Sequence, residues 1–260
     1  LGIREIKRFA FEHTQAPHER PGVAVGVKVA IMGAGPAGMS AAYFLAKMGF
    51  EPEIFEAKAH LGGMVGGAVP RYRLDDNALT VDLERLKQLG VKIHLGTRMG
   101  RDLSLADLRK GFSYQFVGVG AQRGKRLGIE GETALGVIDG LEFLDKVRAQ
   151  EHQDLGQHIL VIGGGNSAMD AARSARRLAP YASVSLVYRR TRAEMPADPE
   201  EVHDCILEGI GLKDLLAPAH VVIEGGKVVG LACTRMKLGA PDASGRPRPV
   251  PVEGPLEILP

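Results

Sequence analysis

A short apolar stretch, a glycine-rich turn and an amphipathic helical stretch occur in that order twice in this chain, about 130 residues apart, at Gly33 and Gly163. No other feature restricts the possible folds as strongly. The first copy runs through residues 28–32, then Gly33-Ala34-Gly35-Pro36-Ala37-Gly38, then a helical pattern over 37–48 that Gly49 closes. The second has Ile159 to Ile162, then Gly163-Gly164-Gly165-Asn166-Ser167-Ala168, then a helical pattern reaching about residue 178. A second apolar strand follows each helix, at 53–56 and 183–188. The hydrophobic period switches from strand to helix across each turn. The spacing predicts an α/β fold of two Rossmann-like dinucleotide-binding modules with parallel strands. A chain of 260 residues suits two such modules. Its 34 glycines are about twice the usual share of ~7%, a density that marks tight turns or close approach of backbone to a ligand.

The three glycines of G-x-G-x-x-G have separate uses: a tight turn, backbone access to a pyrophosphate, and close packing of helix on strand. The helix start then offers unpaired N–H groups and a positive dipole end to phosphate. Glu56 ends the strand after the first turn. A carboxylate there accepts hydrogen bonds from a ribose 2′-OH and repels a 2′-phosphate, which points to FAD or NAD. Leu61-Gly62-Gly63-Met64 and Pro70-Arg71-Tyr72-Arg73-Leu74 favour FAD. The Gly-Gly can lay backbone along the pyrophosphate–ribityl arm, and Arg73 can pair with it. The second turn is the G-x-G-x-x-A form, and its following strand ends in Tyr188-Arg189-Arg190-Thr191-Arg192. A guanidinium fork matches phosphate bidentately and keeps its charge, so this end selects the 2′-phosphate of NADPH. In the helix between, Ala168, Ala171, Ala172 and Ala175 read as inward, with Arg173, Arg176 and Arg177 turned to solvent. The competing reading of Glu56, Arg73 and the arginine run is a solvated charge at a strand end or loop.

The only cysteines are Cys205 and Cys233. They form no C-x-x-C pair, which excludes a cysteine-ligated iron–sulfur cluster and a redox dithiol within this stretch. Free thiols fit a reducing compartment, so the expected location is cytoplasmic. His203-Asp204-Cys205 has no second ligand pair, and no metal site is expected. A net charge of about +2, with acids and bases interspersed, implies no nucleic-acid face. Residues 29–46 carry no charge, but Gly33, Gly35, Pro36 and Gly38 make them a strand-turn-helix unit rather than a membrane span. No signal peptide is visible at the start. Residues 239–249, rich in Gly and Pro, read as a loop. No Ser-His-Asp set or paired acids suggest hydrolysis.

The segments VAIMGAGPAGMSAAYFLAKMGFEPEIFEA, LGGMVGGAVPRYRL, LGVKIHLGT, FVGVGAQRGKRLGIEGE, ILVIGGGNSAMDAARSARRL and VYRRTRAEMPADPEEV resemble the glutamate synthase small-subunit family of flavoproteins. Its relatives include the N-terminal part of dihydropyrimidine dehydrogenase and the large subunit of NADH-dependent ferredoxin:NADP oxidoreductase. The resemblance implies two modules of the glutathione-reductase type, the FAD module lacking its C-terminal part. It places FAD on the first turn, Glu56, Gly62, Gly63, Met64, Arg73, Met99 and Gly120. NADPH falls on Gly164, Gly165, Asn166 and Ser167, with Arg189, Arg190 and Arg192. It also implies a chain cut at both ends, with iron–sulfur clusters only in a missing domain or a partner subunit.

The expected organisation is an N-terminal helix and linker over 1–27, as the remnant of an iron–sulfur domain. An FAD module follows over 28–150, an NADPH module over 151–240, and a return segment over 241–260. The expected activity is electron transfer between NADPH and FAD, and onward to iron–sulfur clusters or a partner, with no catalytic side chain because the cofactors carry the chemistry. The rival expectation is a non-catalytic nucleotide-binding or scaffold subunit; a flavin monooxygenase is a third.

Overall fold

The computed structural model describes residues 2–14, 18–243 and 245–260. Residues 15–17 of the expected N-terminal linker, and Ser244 of the expected loop, lie outside the described residues. The chain divides into two compact units, Leu1–Gly66 with Asp75–Gly120, and Gly67–Leu74 with Ala121–Pro260.

The first unit opens with helix α1, Ile3–His13, whose Ile3, Ile6 and Phe9 are exposed. Strand β1 (Lys28–Met32) leads through the glycine turn into α2 (Pro36–Lys47) and β2 (Glu51–Phe55). A short helix α3 (Gly63–Gly67) follows, then α4 (Asp76–Gln88), β3 (Lys92–His94), α5 (Leu105–Gly111) and β4 (Tyr114–Val117). The sheet order is β3-β2-β1-β4, with every pair parallel. An unbroken apolar run such as Val29-Ala30-Ile31-Met32 suits a parallel strand covered on both faces, and all four residues are buried. Ala42 and Ala46, four apart on one face of α2, pack with Val29, Ile31 and Ile54. Their small side chains let the helix lie close to the sheet. On the other face Ala30 and Met32 meet Leu108 of α5, a helix that starts with a Ser104–Asp107 capping box.

The second unit begins with α6 (Gly140–Arg148), then repeats the pattern as β5 (His158–Ile162), α7 (Asn166–Leu178) and β6 (Ser183–Val187). Helix α8 (Pro199–Leu207) and β7 (Gly211–Lys213) follow, giving a parallel sheet in the order β5-β6-β7. Its remaining strands, β8 (Leu216–Glu224), β9 (Lys227–Pro241), β10 (Pro247–Pro251) and β11 (Glu257–Leu259), make an antiparallel sheet. Strand β9 is its spine: β8 and β11 pair with its first part and β10 with its end. The two sheets share a core of Val187, Leu216, Val221, Leu231, Cys233 and Leu259.

Residues 239–241 and 247–249, expected as parts of a loop, therefore belong to strands β9 and β10. Pro247, Pro249 and Pro251 are tolerated because β10 is the outermost strand of its sheet; proline lacks an N–H that an edge strand can do without. Residues 121–150, grouped with the first module on sequence, pack in the second unit, as does segment 67–74. Arg148 of α6, buried, donates from Nη1 to the carbonyls of Val69 (2.8 Å) and Leu74 (3.1 Å). That pair of bonds ties the segment to its unit.

Candidate dinucleotide sites

The two glycine turns are built alike. Gly33 N–H donates to the Phe55 carbonyl at 2.8 Å and Gly163 N–H to the Val187 carbonyl at 3.0 Å. Each turn is thus tied to the end of the strand that follows its helix. Gly33 and Gly163 have φ of +100° and +140°, backbone that side chains rarely adopt. The middle glycine of each has room for a side chain. A methyl group on Gly35 would find its nearest neighbour, Gly63 Cα, at 3.8 Å, and one on Gly165 would meet nothing within 4 Å. Gly35 and Gly165 cap α2 and α7 without any side-chain hydrogen bond to the helix start. The first N–H groups of a helix lack partners inside it, so both starts suit a pyrophosphate.

Around the first turn the structure gathers most of the residues expected there. Glu56, 8% exposed, accepts from Ala34 N–H through Oε2 (2.7 Å) and from Lys58 N–H through Oε1 (2.8 Å). Each carboxylate oxygen keeps further lone-pair capacity, so the group can still receive ribose hydroxyls. Gly62 N–H donates to the Ala34 carbonyl at 2.8 Å, and a methyl group on Gly63 would lie 2.7 Å from Gly35 Cα. The Gly62-Gly63 loop therefore rests on the turn. Ala34 and Gly38 are buried, whereas Pro36 and Ala37 are exposed. Met64 is half-buried in α3; Met99 packs toward the Ala30–Leu108 cluster; Gly120 is exposed. Gly118 was not singled out on sequence. Its carbonyl oxygen would be 2.6 Å from a methyl on Gly33, and a methyl on Gly118 itself would approach Gly38 N at 3.3 Å. The signal was available as the first glycine of Val117-Gly118-Val119-Gly120.

At the second turn, Gly164 lies under the Tyr188 ring, 2.6 Å from where a methyl would sit. The Tyr188 hydroxyl donates to the Glu194 carbonyl at 2.9 Å. Asn166 accepts from Asp198 N–H through Oδ1 at 2.8 Å, and Gly164 accepts from Ala197 N–H at 3.1 Å. Residues 197–198 thereby border the turn, which spacing alone did not reveal. Asn166 and Ser167 are exposed. Arg189 and Arg192 are exposed as well, the latter opening a single 3₁₀ turn, Arg192–Glu194, capped by Thr191 and Glu194. Arg190 differs: it is 4% exposed and bound to Asp242 and to the Pro247 carbonyl.

Arg73 is likewise committed within the second unit. It ion-pairs with Asp170 of α7 and with Glu201 of α8, the latter at 2.5 Å. Arg173, expected at the surface, is buried among Glu201 (2.6 Å), Glu208 (2.7 Å) and Asp204 (3.1 Å). The Tyr72 ring lies beneath Arg173 and Arg177, at 4.9 and 4.2 Å from ring centre to guanidinium carbon. Burial pushes the Tyr72 hydroxyl up to about 12 and lifts the Asp170 carboxyl above its ordinary range. Burial would also raise Glu208, but hydrogen bonds from Arg177 and Arg173 take it below the usual carboxylate range. Cys205 and Cys233 are buried, unbridged, and pushed by burial up to about 11. They are thiols with no partner thiol, and they form no dithiol couple with each other. His203 lies exposed beside buried Cys205, and no metal-holding cluster of His, Cys, Asp or Glu occurs among the described residues. No helix among them is long and apolar enough to cross a membrane.

Two Rossmann-like modules, each opened by a glycine turn, define a fold of the two-dinucleotide type. Residues 27–214 match the pyridine nucleotide-disulphide oxidoreductase family, and the chain belongs to it. It is 45% identical to the NADP(+)-dependent formate dehydrogenase subunit beta of Moorella thermoacetica, over 93% of this chain and 34% of that protein. Identity is 40% to the NADPH-Fe(3+) oxidoreductase subunit beta of Geobacter sulfurreducens, over 98% and 39%. The resemblance to glutamate synthase small subunits holds at 34% identity to the Escherichia coli glutamate synthase [NADPH] small chain, over 99% and 57%. The chain thus spans little more than a third of the first two relatives. Among solved structures, Mycobacterium tuberculosis FprA in complex with NADPH superposes with a TM-score of 0.77 at 19% identity, over 90% of this chain and 68% of that one. The shared feature there is the fold.

Two substitutions should separate the glycine the turn needs for packing from the one whose surroundings are open. Gly38→Ala places a methyl group on the Gly33 carbonyl oxygen and should cost about 1–3 kcal/mol of stability in denaturant melts. Gly35→Ala should leave stability within about 0.5 kcal/mol yet weaken dinucleotide binding in titrations. For Glu208, a lowered folded-state pKa gives stability that is present at neutral pH and lost as pH falls through that pKa. Glu208→Gln should therefore cost about 1–2 kcal/mol at pH 7, given its partial exposure. In thermal melts its gap from the parent should close once the pH drops below the ordinary glutamate range.

Proposed function

We propose that the first unit holds FAD and the second NADPH, and that this stretch passes electrons between them and onward to iron–sulfur clusters on another domain or subunit. One observation carries the reading: the two turns match in backbone, but their second strands finish in opposite charge. Glu56 is fixed against the first turn by Ala34 N–H, while Arg189 and Arg192 are exposed beyond the second. An anion at the ribose accepts its hydroxyls and repels a 2′-phosphate; cations there do the reverse.

In this reading Gly33 to Gly38 receive the FAD pyrophosphate, with Gly35 the point of nearest approach and Glu56 on the adenosine ribose. Gly62, Gly63 and Met64 lie along the flavin arm because their loop rests on Gly35; Met99 and Gly120 complete the expected set. Gly163 to Ser167 receive the NADPH pyrophosphate, and Arg189 and Arg192 the 2′-phosphate. Arg73 and Arg190, assigned to cofactors on sequence, have their guanidinium groups on Asp170, Glu201 and Asp242 instead. When bound, flavin and nicotinamide supply the hydride exchange themselves. The chain's own work is to hold and orient both nucleotides and to choose between phosphorylated and bare ribose. The two buried, unpaired cysteines offer no dithiol relay, which favours an acceptor outside this stretch. Two relatives, an NADPH-Fe(3+) oxidoreductase subunit and a glutamate synthase [NADPH] chain, support NADPH and a multi-subunit setting. A reducing, cytoplasmic location accords with free thiols.

The full-length protein should be yellow and bleach on anaerobic addition of NADPH. A colourless protein that binds NADPH would instead indicate a scaffold subunit. Replacing Arg189 and Arg192 together by Ala should weaken NADPH at least about tenfold, from loss of charge-assisted bonds worth roughly 1.5–3 kcal/mol each. NADH binding should change little, and equal loss of both cofactors would rule the phosphate role out.

A further inference from the structure

Arg190 lies in the middle of the arginine run, yet it is buried and its partners come from a hairpin more than fifty residues on. Its Nη2 donates to Asp242 at 2.6 Å and its Nε to the Pro247 carbonyl at 2.7 Å. Asp242 begins the turn between β9 and β10, accepting from Gly245 N–H (2.9 Å) and donating its own N–H to the Arg246 carbonyl (2.8 Å). Pro247 is the first residue of β10. The arginine's own backbone is fixed too: its carbonyl accepts from Leu215 N–H at 3.2 Å, and Tyr188 is bonded through both N–H and carbonyl to Lys213 and Leu216. The segment carrying Arg189 and Arg192 is therefore pinned from below by β7 and β8 and from the side by the hairpin.

The geometry points to Arg190 as a positioning residue. We propose that the Arg190–Asp242 pair seats the β9–β10 turn against the loop after β6, and that this seating holds Arg189 and Arg192 where they select the 2′-phosphate. Asp242 thereby becomes a determinant of cofactor choice although it carries the wrong sign to touch a phosphate. The inference rests on the NADPH reading of the second turn.

The sign of one substitution decides between anchor and ligand. If Arg190 were itself a phosphate ligand, Asp242 would compete with the nucleotide for its guanidinium, and Asp242→Asn would tighten NADPH. If Arg190 is the anchor, losing the charged pair loosens the loop, and Asp242→Asn weakens NADPH by about fivefold or more while NADH changes little. Nucleotide titrations of the full-length protein read this directly, with NADH affinity and the melting temperature as checks on folding. Arg190→Lys, which keeps the charge but loses the two-pronged fit, should shift the NADPH-to-NADH ratio in the same direction. Tighter or unchanged NADPH binding by Asp242→Asn overturns the anchor and leaves the cofactor assignment standing. A parent protein with no preference for NADPH over NADH overturns the assignment and the anchor with it.

Discussion

A helix can offer its first N–H groups to a phosphate only when nothing in the protein occupies them first. Both turns meet that condition in the same way. Gly35 and Gly165 stand at the starts of α2 and α7 with no side-chain cap, and the space a methyl group would fill at each is open or in ordinary contact. The neighbouring glycines serve packing: Gly33 bends the chain, Gly38 lets α2 approach it, and Gly164 passes under Tyr188. With backbone alike in both copies, discrimination passes to the end of the following strand, where Glu56 and the arginines differ in sign. On the proposed reading, one fold used twice yields two sites of opposite preference.

Several arginines of the second unit serve its structure. Arg73, Arg173 and Arg190 each sit among carboxylates, and Arg148 caps two carbonyls. Breaking one side of such a buried pair leaves an uncompensated charge, which is why these contacts hold particular segments in place. Segment 67–74 is secured through Arg73, Tyr72 and Arg148, and the β9–β10 turn through Arg190. Only Arg189 and Arg192 of the run remain exposed, and they are the ones available for an anionic ligand.

The legible part of this fold was the part encoded locally. Both strand-turn-helix units, the site of Glu56 and the inward alanines of α7 follow from residues within a short window, and the family match covers the same span. The partners of the arginines were not legible, because Arg73 and Asp170 are 97 residues apart and Arg190 and Asp242 are 52 apart. A charge whose counter-ion lies that far along the chain looks the same in sequence as a solvated one. The antiparallel sheet escaped for another reason. Pro, Gly and His interrupt its alternation, and β10 carries three prolines that only an edge position accommodates. Gly118 was overlooked in favour of Gly120 because two glycines in V-G-V-G are equivalent until the backbone of the first turn is placed beside them.

The central claim is that the second turn, and not the first, is built for a phosphorylated ribose. A structure of the protein with adenosine 2′,5′-bisphosphate tests it most directly. The account predicts the 2′-phosphate within hydrogen-bonding reach of Arg189 or Arg192, with the Arg190–Asp242 pair intact. A 2′-phosphate lodged beside Glu56, or one held at the second turn without contact to either exposed arginine, would contradict it.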